Sequence, residues 1–254
     1  MLPSVVEFHG VSKSYRTGLV RRRAVWALRD VTLSVPRGAV FGIVGPNRAG
    51  KTTLVKVLLG ICRPTSGTIV RLGLPGQDRS TLARVGYLHE SQAFPRYLTG
   101  TTLLQYYGSL SLVPRRELRD RIPSLLEEVG LADRAHEPIW AFSKGMAQRL
   151  ALAQSLVNDP ELLVLDEPAE GMDLTARRLL DDVIRRRQAQ GKSAILVSHS
   201  VSDVQRLCDR VAVLRCGQVA FAGPLAELLG DDRQDRSPEA LQEALEPMYA
   251  GVAP

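Results

Sequence analysis

Hydrophobic and polar positions change period several times along the chain, and the changes mark out its elements. Val5 to Tyr15 and Ala24 to Val35 alternate residue by residue, as half-buried antiparallel strands do, around an arginine cluster at Arg21-Arg22-Arg23. Pro36-Arg37-Gly38 predicts a turn. Val40-Phe41-Gly42-Ile43-Val44 is a continuous apolar run, the mark of a strand buried on both faces. Thr52 to Leu59 predicts a helix that stops near Gly60 and Pro64, and Thr65-Ser66-Gly67-Thr68 predicts another turn. From about Glu90 to Asp159 the pattern becomes helical, with amphipathic stretches at Arg115 to Val129 and Met146 to Val157. Buried-strand character returns at Leu162 to Leu165 and Ala194 to Val197, separated by the helical Thr175 to Gln190. Val211 to Leu214 and Gln218 to Phe221 predict a last hairpin about Cys216-Gly217, and the charged tail from Gly230 carries a short helix from Pro238 to Leu245.

This alternation of strands and helices, in 254 residues, is an α/β pattern of one large domain or two lobes sharing a core. The expected division is a domain over 1–229, with a helical part at about 90–159, and a tail over 230–254. Hydrophobic content of 44% and charged content of 24% are those of an ordinary globular protein. No apolar run approaches the roughly 20 residues that cross a bilayer, and Met1 to Gly10 lacks the basic-then-apolar form of a secretion signal. The expectation is a cytoplasmic protein, at a membrane only if another chain tethers it. The net charge of +6 is carried almost wholly by arginine and is read as solvated faces; lipid headgroups or nucleic acid are the other anions such a balance suits. Cys62, Cys208 and Cys216 form no CxxC pair and have no histidine at zinc spacing, so all three are expected to be plain thiols.

Three motifs carry chemistry. Gly45-Pro46-Asn47-Arg48-Ala49-Gly50-Lys51-Thr52 fits G-x-x-x-x-G-K-[ST] between a buried strand and a helix, the context a phosphate-binding loop requires, with Thr53 next in line. Its backbone N–H groups and the helix N-terminus suit phosphate oxygens. Lys51 is expected to reach the β- and γ-phosphates of a nucleotide, and the Thr52 hydroxyl to take a Mg²⁺ position. Arg48 is unusual in such a loop; it either adds charge near the phosphates or points to solvent, and solvent is the expectation. Leu162 to Leu165 ends in Asp166 and Glu167: the first is placed to hold Mg²⁺, the second to polarise an attacking water as general base. Between these two motifs lies Phe142-Ser143-Lys144-Gly145-Met146-Ala147-Gln148-Arg149, where Ser143 is a good N-cap and Gly145 leaves N–H groups open to an anion.

With the third motif in place, the chain resembles the nucleotide-binding subunit of ABC transporters over nearly its whole length, from about Val5 to Gly223. The resemblance implies a P-loop NTPase fold of the ABC type: a mixed sheet core, a flanking antiparallel β subdomain and a helical subdomain carrying the Ser143 motif. It implies ATP hydrolysis, with Tyr15 stacked on adenine and His199, in Ser198-His199-Ser200, contacting the γ-phosphate. Gly86-Tyr87-Leu88-His89-Glu90 is similar to the loop that touches the Mg²⁺ site and the transmembrane partner, with Glu90 where many members have Gln. Asp173, in Ala169-Glu170-Gly171-Met172-Asp173, is similar to the aspartate of the loop at the dimer contact. Two subunits, expected as a homodimer, would then pack head to tail, with ATP on Lys51, Thr52 and Asp166 of one chain meeting Ser143, Lys144, Gly145 and Met146 of the other. Opening and closing would drive a membrane permease through the stretch from Glu90 to Leu104, at the cytoplasmic face of the inner membrane. Ser-Lys-Gly-Met in place of Ser-Gly-Gly-Gln, and Val85-Gly86-Tyr87-Leu88 before Glu90, resemble export-type members whose permease is a separate chain. The other readings are a soluble ABC ATPase acting on ribosomes or nucleic acid, and a P-loop kinase or GTPase. The first lacks tandem cassettes or a heptad run here; the second leaves the Ser143 motif, Asp173 and His199 without a role. Nucleic acid is not an expected partner.

Overall fold

A computed structural model describes residues 3–17, 23–90, 93–230 and 237–249. Arg21 and Arg22 of the arginine cluster, and the tail at 231–236 and 250–254, lie outside the described residues. In chain order the strands are β1 (Ser4–Thr17), β2 (Arg23–Pro36), β3 (Val40–Val44), β4 (Ser66–Arg71), β5 (Leu74–Pro75), β6 (Val85–Leu88), β7 (Leu162–Asp166), β8 (Ser193–Val197), β9 (Arg210–Arg215) and β10 (Gln218–Pro224). The helices are α1 (Lys51–Leu58), α2 (Gly100–Leu110), α3 (Arg115–Glu128), α4 (Lys144–Leu156), α5 (Leu174–Ala189), α6 (Val201–Leu207), α7 (Leu225–Leu229) and α8 (Pro238–Tyr249). Contacts group the chain into two units, Met1–Thr81 with Ser193–Pro254 and Leu82–Lys192.

The first unit holds two sheets. One is antiparallel, in the order β2-β1-β4-β5. In the other, β3 runs parallel to both β8 and β9, and β10 closes the edge antiparallel to β9. All five residues of β3 and of β8 are buried, which is why β3 and Ala194–Val197 of β8 read as unbroken apolar runs. The β9–β10 turn is Cys216-Gly217 as the pattern predicts, with both residues at positive φ (48° and 79°) as a two-residue I′ hairpin turn requires. The expected turn at Thr65–Thr68 is instead the start of β4: Ser66 pairs with Ser12 and Thr68 with His9, so these polar residues serve an exposed strand end. Helix α8, longer than predicted, buries Ala240, Leu241 and Leu245 in contact with α6, α7 and β9.

The second unit pairs β6 with β7 in parallel, packs α4 on β6, and packs α2, α3 and α5 against α4. The stretch read as a loop at Gly86 to Glu90 is strand as far as Leu88, because Val85, Gly86, Tyr87 and Leu88 pair with Leu162, Leu163, Val164 and Leu165. Three helices of this unit start on side-chain caps: Thr99 on α2, reinforced by Thr102, Ser143 on α4 and Asp173 on α5. Helices α2, α6 and α7 had no individual counterpart in the pattern reading. Cys62, Cys208 and Cys216 are free thiols. Among the described residues, no helix is long and apolar enough to cross a membrane.

Candidate nucleotide-binding site

The first unit carries the Gly45–Thr52 loop. Because β3 and β8 are parallel neighbours with Ile43 beside Val197, the loop after Val44 and the residue after Ser198 leave the sheet at the same, carboxyl end. That is the end where open α/β sheets bind ligands. Gly45 to Gly50 therefore lies beside the turn carrying His199, which is exposed. Helix α1 begins directly from Gly50, which has no side chain to cap it; α3 and α7 also start without a side-chain cap, whereas α2, α4, α5 and α6 carry one. The N–H groups of that first turn and the positive end of the helix dipole suit an anion. Gly50 is at φ 108°, and a Cβ there would come within 2.5 Å of the Ala27 carbonyl, so only glycine fits. The Lys51 ammonium donates to the carbonyls of Gly45 (2.6 Å) and Pro46 (3.2 Å). Thr52 is exposed at the helix start and Thr53 half-buried, while Pro46, Asn47 and Arg48 form the loop crest and Ala49 is buried. Arg48 has its side chain exposed on a backbone at φ 66°.

Tyr15, on β1 and 38% exposed, places its hydroxyl between α1 and the segment that follows it. Its hydroxyl lies 3.7 Å from the Cys62 sulfur, and the Lys13 ammonium sits 5.1 Å from the ring centroid while donating to the Arg63 carbonyl. Partial burial raises its pKa, opposed by a hydrogen bond with Thr53, the residue after Thr52.

The second unit builds an acidic end. Asp166 closes β7 and is buried; Glu167 follows at φ 49°, a left-handed conformation that costs a non-glycine residue about 1 kcal/mol or more. The Tyr87 hydroxyl hydrogen-bonds with Asp166, and burial, then the charges of Asp166 and Glu90, push its pKa well up. Pattern reading assigned Tyr87 no role of its own; the β6–β7 register, which puts Tyr87 beside Val164, gives it one. Glu90 is exposed just past β6. A cavity of about 230 Å³ is lined by His89, Glu90, Lys144, Gln148, Glu167 and Glu170 among others, so this unit brings together the Glu90 segment, the α4 start and the acidic strand end. Ser143 accepts from the Met146 N–H at 3.2 Å, so its hydroxyl is engaged in capping α4. Gln148 donates to the Glu170 carbonyl, and Asp173 caps α5 by accepting from the Ala176 N–H at 2.7 Å. Gly145 lies half-buried in the first turn of α4.

The match to a family model decides the assignment: the ABC transporter model aligns with residues 28–170. This chain belongs to the ABC transporter family. It is 45% identical over 230 residues to an uncharacterised ABC transporter ATP-binding protein of Nostoc sp., covering 90% of this chain and 69% of that one. It is 36% identical over 249 residues to the Nod factor export ATP-binding protein I of Rhizobium johnstonii, covering 92% and 78%. A solved structure described as the ATP binding subunit of an ABC transporter superposes with a TM-score of 0.84 at 27% identity, over 96% of this chain and all of that one. The chain is thus an ABC-type ATP-binding subunit and ATPase, with the mixed sheet, antiparallel subdomain and helical part of that fold.

Proposed function

We propose that this subunit hydrolyses ATP to power export through a separate membrane permease, working as a homodimer at the cytoplasmic face of the membrane. The observation that carries the reading is the Gly45–Gly50 loop leading straight into α1 from Gly50, where no side chain fits, so that backbone N–H groups and the helix N-terminus come together as a triphosphate site requires. Lys51, with its ammonium already turned into the loop, is the partner for the β- and γ-phosphates, Tyr15 for the base and His199 for the γ-phosphate. Glu167 is the general base for water. Ser143, Lys144, Gly145 and Met146 act on the partner chain's ATP, and Asp173 on the dimer contact. Export follows the relatives whose names carry it.

The donor set fits Mg²⁺. Asp166 and Glu90 of the second unit offer carboxylates and Thr52 of the first an exposed hydroxyl, hard oxygens of the kind this ion takes in small number before phosphates complete its shell. Bound there, the ion would supply neutralisation of phosphate charge. An exposed aromatic face supports the permease partner: Tyr97 and Trp140 are 79% and 62% exposed, and the backbone bonds Ile139 N–H to Leu98 and Trp140 N–H to Arg96 hold their two segments side by side.

Two measurements test this. Glu167→Gln in the full chain should keep ATP binding and lose phosphate release by about 10²-fold or more; undiminished release removes Glu167 from the base role. Affinity capture from gently solubilised native membranes should retain a polytopic membrane protein in near-equal amount. Capture of ribosomal proteins or DNA-bound factors instead would overturn the transporter reading in favour of a soluble ATPase.

A further inference from the structure

The β9–β10 hairpin meets the phosphate-binding loop through one residue. The Gly217 N–H donates to the Ala49 carbonyl at 2.9 Å, and the Gly217 carbonyl accepts from the Arg29 N–H of β2 at 2.8 Å. Gly217 is therefore a bridge, bonded on one side to the loop and on the other to the antiparallel sheet. Nothing larger fits: a Cβ would stand 2.7 Å from the Ala27 carbonyl oxygen and 3.1 Å from the Leu28 Cα, with φ at 79° besides.

What the bridge does follows from the planarity of the peptide bond. In a trans peptide the C=O and the following N–H point in opposite directions. Holding the Ala49 carbonyl toward the hairpin aims the Gly50 N–H away from it. A phosphate cradle turns N–H groups toward its ligand, so each of its carbonyls needs another donor; one left without a donor would favour a flipped peptide. Elsewhere in the loop the carbonyl of Pro46 accepts from the Ala49 N–H (3.1 Å), and that of Gly50 from the Leu54 N–H (2.9 Å). Ala49 has its donor in the hairpin turn.

We propose that the Cys216-Gly217 turn is a latch on the phosphate-binding loop, and that Gly217 is a positioning residue for nucleotide: it fixes the Ala49–Gly50 peptide with its N–H toward the phosphates. The proposal rests on the reading of Gly45 to Thr53 as the ATP cradle.

The test is calorimetric titration of the full chain with ATP and, separately, with inorganic tripolyphosphate, both in EDTA so that nothing is hydrolysed. Gly217→Ala should weaken both ligands by the same factor, about tenfold or more, because the latch acts at the phosphate end. Cys216→Asn, which keeps a residue tolerant of positive φ before Gly217, should bind like the native chain. A Gly217→Ala chain that melts earlier but binds both ligands with native affinity has lost only stability, and overturns the latch. Should that variant not fold, hydrogen exchange on the native chain decides. Tripolyphosphate should slow exchange of the Gly217 amide several-fold, and an unchanged rate overturns the proposal. Failure of the native chain to bind ATP is a different outcome: it overturns the cradle reading itself, and the latch with it.

Discussion

Replacing Arg71 with Met should destabilise the first unit by about 2–4 kcal/mol. Arg71 lies on β4 with none of its surface exposed. Its Nε donates to the Thr81 hydroxyl (2.7 Å), one Nη to the Leu58 carbonyl, and the other Nη to the carbonyls of Gly76 (3.2 Å) and Asp78 (3.0 Å). Leu58 is the last residue of α1, so a positive charge sits at the negative end of the helix whose other end faces the phosphate loop. Burial lowers the guanidinium's pKa and the charge of Asp78 opposes that, but an arginine stays ionised. Methionine would leave the carbonyls of Leu58 and Gly76 facing an apolar side chain, at about 1–3 kcal/mol each, while Asp78 keeps the Thr81 hydroxyl as donor at 2.8 Å. Against this, the variant no longer desolvates a cation, which returns part of the loss. At roughly 2–4 °C per kcal/mol for a chain of this size, a calorimetric scan without nucleotide should show a midpoint about 5–10 °C lower, with Arg71→Lys in between. A midpoint within about 1 °C of native for the Met variant would show that desolvation and hydrogen bonding cancel here, and would refute the reasoning.

Two further outcomes follow from single contacts. Tyr87→Phe removes the hydroxyl bonded to Asp166 and should lower ATP turnover about five- to tenfold while changing ATP affinity less, read as a kcat loss in a phosphate-release assay; unchanged kcat would mean that Asp166 is held without it. Asp159 is a carboxylate whose burial alone would raise its pKa, but Lys192 and Arg187 outweigh burial and hold it below the usual range. A depressed carboxylate stabilises the fold above its unfolded-state pKa and loses that contribution as pH falls through the folded value. Asp159→Asn should therefore melt earlier than native at pH 7, with the gap closing below about pH 4; a gap independent of pH would assign the loss to packing instead.

The parts of the fold legible in the sequence are those set by local pattern. The buried runs at β3, β7 and β8, the helices α3, α4 and α5 and the Cys216-Gly217 hairpin each announce themselves within a dozen residues, because period and turn chemistry are local properties. What was missed is what partners decide. Ser66-Gly67-Thr68 reads as a turn on its own residues and becomes strand because β1 supplies bonds to His9 and Ser12. Val85 to Leu88 is too short to read as a strand until it is laid beside Leu162 to Leu165. Helices α6 and α7, at seven and five residues, give periodicity too few turns to register.

The site divides the same way, and the division is physical. A phosphate cradle is built mainly from consecutive backbone N–H groups, so the residues that form it must be adjacent, and Gly45 to Thr52 can be recognised as a word. The groups that hold such a cradle in shape obey no such constraint. Arg71 and Gly217 reach the end of α1 and Ala49 from other elements, and each looks ordinary in place: an arginine in a strand, a glycine in a turn; Tyr87, a tyrosine in a short apolar run, does the same for Asp166 at the acidic strand end. Sequence thus shows the atoms that would touch the ligand more readily than the atoms that aim them. An affinity lost by mutating the second kind is the more informative result, since no motif anticipates it.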